Sequence, residues 1–134
     1  EKPILIGVHL NNKGYLPSGE TIDDLIPITS NYNTCGIIAA CVSPEIVNLA
    51  MPKLLNQKLP FGFKVNAFKN IPENDPLDAD LYDNGYPTER YGTRANEFTP
   101  EVFKKFVQDK LKDGATLLGG CCEIKPRHIK ALTK

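Results

Sequence analysis

Four short apolar runs alternate with helix starts, and this alternation limits what the chain can fold into more than any other feature. Residues 4–8, 36–41, 61–68 and 115–118 are aliphatic or aromatic and have the length of buried strands. The second run leads into Ser43-Pro44-Glu45, a capping hydroxyl, a proline for the first helical position and an acid for the first turn. Thr99-Pro100-Glu101 repeats that start, Thr21 with Asp24 has the spacing of a capping box, and Pro126 opens a last helix carrying Ile129, Ala131 and Leu132. Strand and helix in alternation predict an α/β fold with a parallel sheet and helices outside it.

Several local expectations follow. Pro27 should end the first helix after Leu25 and Ile26, and Pro52 should kink or split the second, whose apolar stripe is Ile46, Val47, Leu49 and Ala50. Val102, Phe103, Phe106, Val107 and Leu111 recur at helical spacing, with Gly114 as the C-terminal cap and the phenylalanines in the core. Residues 69–98 are rich in Pro, Asp, Asn, Tyr and Gly and lack helical periodicity. A connection this long reads as a lid closed by Tyr82, Tyr86 and Tyr91, or as a solvated excursion held down by those rings.

The chain has 134 residues, enough for one domain with a core, and its 16 basic and 16 acidic residues cancel. Zero net charge removes the electrostatic case for nucleic acid or an anionic membrane, and no apolar run approaches the ~20 residues of a membrane span. Glu1-Lys2-Pro3-Ile4 has neither a signal peptide's pattern nor a starting methionine, so a processed or trimmed cytoplasmic chain is expected.

Chemistry enters with the cysteines. In parallel α/β folds ligands gather beyond the C-terminal ends of the strands. Cys41 ends the second run, and Gly119-Gly120-Cys121-Cys122 ends the fourth. Neighbouring residues on a strand point to opposite faces, so two adjacent thiols share a target only where the backbone bends, which glycine permits. Cys35 sits just before the second run, about 20 Å away at ~3.3 Å per residue, and reads as a small buried apolar residue. His9 ends the first run and can face the cleft, His128 is expected on the surface of the last helix, and Lys64 and Asn66 give the end of the third run a polar face. Three converging thiolates suit a zinc ion with an open fourth position, a centre fitted to activate a substrate thiol for alkyl transfer. Inert buried cysteines, or a redox pair of Cys121 and Cys122, remain open on residue types alone.

Gly119-Gly120-Cys121-Cys122, followed by Pro126-Arg127-His128-Ile129 and Ala131-Leu132, resembles the C-terminal signature of the homocysteine S-methyltransferase family. Cys41-Val42-Ser43-Pro44-Glu45 resembles that family's other zinc-cysteine motif, Val65-Asn66-Ala67-Phe68 its seventh strand, and Thr99-Pro100-Glu101 the start of its seventh helix. The first segment, with Gly19-Glu20-Thr21, is similar to its fifth barrel unit. The resemblance implies a (β/α)8 TIM barrel, of which about four C-terminal β/α units are present here. It implies zinc on Cys41, Cys121 and Cys122. The implied reaction is methyl transfer to homocysteine, giving methionine, from a small donor such as S-methylmethionine, S-adenosylmethionine or betaine. Asn66 and His9 are the expected substrate-binding residues. Ala40 stands where the family usually has Asn before the first zinc cysteine. A complete barrel runs ~250 residues, so the chain is expected to be part of a larger enzyme or to pair with a second chain. The alternative is a catalytically incomplete zinc-binding half-barrel with a structural or regulatory role.

Overall fold

The computed structural model describes residues 2–71 and 87–133. Strands β1 (Ile4–Val8), β2 (Thr34–Val42), β3 (Phe61–Val65) and β4 (Leu117–Gly120) form one parallel sheet in sequence order. Helices α1 (Ile22–Thr29), α2 (Pro44–Leu55), α3 (Pro87–Tyr91), α4 (Pro100–Lys112) and α5 (Pro126–Leu132) lie between and after them. Consecutive βα units laid side by side give the α/β character of a partial TIM-barrel-type sheet, with β1 and β4 at its edges.

The two faces of the sheet differ. Val8, Ala39, Phe63 and Leu118 stand in one row across it, with Ile6, Ile37 and Phe61 in another. These rows pack into the helix-covered core, where the Phe63 ring meets Phe106 edge-on at 5.3 Å. The opposite face carries Leu5, Ile38, Lys64 and Leu117 among glycines and Ala40. On that face Leu5 is 50% exposed and Lys64 is also open to solvent. A parallel sheet is normally covered on both sides; among the described residues only one side is.

Helix starts follow the local chemistry. Thr21 and Asp24 close a capping box, and Ser43 and Thr99 each accept a backbone N–H from the first turn. Gly114, at φ +99, continues the chain past the end of α4. Neither interior proline ends or splits its helix. α1 runs through Pro27 to Thr29, because proline removes only one helical bond and the last turn is rebuilt by side chains. Thr29 Oγ1 donates to Ile26 O at 2.7 Å, and Ser30 Oγ to Pro27 O at 2.7 Å. α2 is unbroken through Pro52, held by the buried stripe Val47, Ala50, Met51 and Leu54.

Other boundaries shift. β3 stops at Val65 rather than at Phe68, which instead pairs with Thr93 in an isolated antiparallel bridge. Gly119 and Gly120 are the end of β4 itself. Within 69–98, the helix α3 appears where no periodicity announced one, and Tyr91 is buried edge-on against Phe68 at 5.3 Å. Tyr82, Tyr86 and half of the expected lid, residues 72–86, lie outside the described residues. Cys35 is exposed rather than buried. It is the second residue of β2 and falls at a register shift, Ile4 pairing with Thr34 and Leu5 with Gly36, so it has no ladder partner on β1. His128 is buried, 1% exposed, rather than on the surface. A seven-residue helix has too few turns for periodicity to fix its inner face, and Ile129 is the residue left outside. No helix among the described residues is long and apolar enough to cross a membrane.

Candidate metal centre

Cys41 leaves the sheet through a bulge. Ala40 pairs with Lys64 and Val42 with Val65, so Cys41 is an extra residue with no partner on β3. In an unbroken strand Cys41 would oppose Val65 and point into the helix-covered core. The bulge gives that place to Val42, 1% exposed, and turns Cys41 to the rim. The turn uses left-handed backbone, φ +55, which disfavours a residue with a Cβ by about 1–2 kcal/mol.

Cys121 and Cys122 are presented differently. Gly120 pairs with Val65, and Cys121 N then donates to Val65 O at 2.7 Å. A tight turn follows, with Ile124 N donating to Cys121 O at 3.1 Å and Glu123 at φ +66. Ile124 folds back over Gly120, where any Cβ would lie 2.2 Å from Ile124 Cγ2. Ala67 N donates to Cys122 O at 3.0 Å and fixes the turn against the end of β3.

These two exits bring three sulfurs together. Cys41 Sγ lies 3.6 Å from Cys122 Sγ, Cys121 Sγ lies 3.8 Å from Cys122 Sγ, and all three fall within 4.8 Å of one another. Two sulfurs bound to one tetrahedral ion at ~2.3 Å, the length of a zinc–thiolate bond, stand ~3.8 Å apart. Two of the sulfur separations therefore match those around a bound ion, and the three cysteines form a group that could hold one. Burial pushes all three thiols above their ordinary range, against partial relief for Cys41 from hydrogen bonds with Cys121 and Cys122. A thiol set that resists ionisation by itself is one a bound cation would stabilise as thiolates.

Of the other residues singled out in the sequence, His9 and Asn66 lie beside this cluster. Half-buried His9 places Nδ1 3.4 Å from Ala40 O, and Asn66, 0% exposed, donates from Nδ2 to Cys41 O at 2.8 Å. Cys35 is at the other end of β2 and outside the cluster. His128 supports the rim from below, with Nε2 3.1 Å from Phe98 O and Nδ1 accepting from Lys125 N at 2.9 Å.

Sequence spacing gave no sign of the strap formed by Thr93 and Arg94. Arg94 N donates to Ala67 O, and its guanidinium meets Glu45 at 2.6 Å, just after the Cys41 exit. Thr93 Oγ1 donates to Glu123 at 3.0 Å, just after the other exit. Burial raises the Glu45 carboxyl, but the Arg94 and backbone hydrogen bonds outweigh it and hold the group below its ordinary value. Only Glu45 carried a signal, and it was that of a helix first turn.

A comparison with curated proteins finds no match. Comparison with protein families does: residues 1–134 match the family described as homocysteine S-methyltransferase, and the chain belongs to that family.

Proposed function

We propose that this chain carries the zinc-binding, thiol-activating rim of an enzyme that methylates homocysteine to methionine. The observation that carries the reading is the convergence of Cys41, Cys121 and Cys122 at the C-terminal ends of two strands. Cys41, Cys121 and Cys122 would hold the ion and leave its fourth position open to the cleft. When bound, zinc would keep a substrate thiol in its nucleophilic thiolate form at neutral pH. The methyl group would pass from a small donor (S-methylmethionine, S-adenosylmethionine or betaine) to that sulfur, the donor leaving with its electron pair and the thiol proton passing to solvent. Half-buried His9, with Nδ1 3.4 Å from Ala40 O, would meet the substrate from the β1 side. Reduced thiols at such a centre suit a cytoplasmic location.

One observation favours a second reading. The uncovered face with Leu5 and Lys64 supports a half-barrel that binds metal but needs an N-terminal half or a second chain to act. Zinc content and methyl transfer separate the cases. One zinc per chain, lost in Cys121→Ser, is expected. A metal-free protein with a titratable Cys121–Cys122 disulfide would overturn both readings in favour of a redox pair. Methionine formed by the 134-residue chain supports the complete enzyme; zinc binding with no turnover supports the half-barrel.

A further inference from the structure

We propose that Asn66 is a positioning residue of the metal centre, holding Cys41 in the left-handed bulge by donating from its side-chain amide to the Cys41 carbonyl. The inference rests on the zinc reading and adds a residue to it.

Cys41 does not keep its conformation unaided. A non-glycine residue at φ +55 persists only where its surroundings impose it. As the extra residue of a bulge, Cys41 makes no ladder pair with β3. The hydrogen bond from Asn66 Nδ2 to Cys41 O, at 2.8 Å, takes the ladder's place. Ala40, beside it, has only a methyl group to offer.

Asn66 is itself held so that only one orientation works. It is 0% exposed, its backbone N–H donates to Val42 O at 2.8 Å, and its Oδ1 accepts from Phe68 N at 3.3 Å. Flipping the amide would set its oxygen against the Cys41 carbonyl and its nitrogen against the Phe68 N–H, and buried polar groups left facing like partners are costly.

The neighbours of Asn66 complete the pattern. Val65 O accepts from Cys121 N, Asn66 Nδ2 donates to Cys41 O, and Ala67 N donates to Cys122 O. Three consecutive residues at the end of β3 thus each bond one of the three cysteines. Two of these bonds are backbone to backbone and survive any side chain. Asn66 supplies the third, so it is the residue through which substitution can release one thiol and leave the other two in place.

The test measures metal affinity in the full chain by competition with a chromophoric chelator, together with the cobalt-substituted absorption spectrum. Asn66→Asp keeps size and the acceptor for Phe68 N but loses the donor; Asn66→Ala loses both. Both variants are expected to lose roughly 10–100-fold in zinc affinity, the range for residues that orient metal ligands. The cobalt–thiolate bands should weaken or shift. Thr99→Ala, a helix cap outside the cluster, serves as control and should lower thermal stability with affinity and spectrum unchanged. If the wild-type chain binds no metal, the zinc reading falls. If it binds and both Asn66 variants match its affinity and spectrum, Asn66 has no positioning role. Should the variants not fold, the wild-type protein still decides. Its Asn66 side-chain amide protons should exchange slowly and shift when zinc is added, and a freely exchanging pair would overturn the proposal.

Discussion

The two strand ends that present thiols solve the same problem by different means. At the end of β2, an ordinary side chain is forced through left-handed backbone and kept there by a buried amide on the next strand. At the end of β4, Gly120 lets Ile124 fold back over the chain, and the bonds recorded at Cys121 N, Cys121 O and Cys122 O are backbone to backbone. One exit depends on the identity of a distant residue and the other on a missing Cβ. The first should therefore fail through its partner and the second through its own residues.

The largest effect expected removes a ligand at the β4 exit. Cys121→Ser should lower zinc affinity by more than the roughly 100-fold that marks the upper range for supporting residues, read by chelator competition. Next comes pH. Because burial holds the three thiols above their ordinary range, the ion must displace protons to bind. Affinity should fall as pH falls, by up to about tenfold per unit for each thiol that must ionise, in the same titration repeated between pH 6 and 8. Without metal the sign for folding is the opposite. The unfolded chain ionises its thiols first, near ~8.5, so the metal-free fold should be stable below that pH and lose stability above it, as followed by urea unfolding.

Gly120→Ala sharpens the comparison. The new Cβ meets Ile124 at its own Cβ, 2.5 Å away, which a rotamer change cannot relieve. Overpacking of this kind destabilises by about 1–3 kcal/mol, measurable as a shifted urea midpoint. The damage should be confined to the β4 exit, with the Asn66 amide protons still protected. The smallest effect belongs to Arg94→Ala. The Glu45 carboxylate is largely exposed, so the lost pair should change stability by ~1 kcal/mol or less, and less still at high salt. A larger loss would show that the Thr93–Arg94 strap holds the two exits together more firmly than a surface pair does.

Much of this was legible along the chain. Cap-proline-acid triplets specify helix starts through contacts within four residues, and α2 and α4 begin where Ser43-Pro44 and Thr99-Pro100 placed them. The three thiols were legible because strand ends in a parallel sheet share one rim. Misreadings arose where a distant partner outweighed a local rule. Pro27 and Pro52 are helix breakers in isolation, yet buried stripes and side-chain hydrogen bonds carry both helices past them. His128 looked like a surface residue until Phe98 O and the Phe103 ring enclosed it.

The sequence by itself determined the alternating α/β plan, the helix starts and which thiols would converge on one rim, since each depends on local preference or on residue type. Only the tertiary structure decided that Cys41 occupies a bulge, that Asn66 faces its carbonyl and that residues 65–67 bond all three cysteines. A bulge exists only relative to a neighbouring strand. A buried amide acquires its role only when the fold brings a carbonyl from 25 residues away to within a hydrogen bond of it.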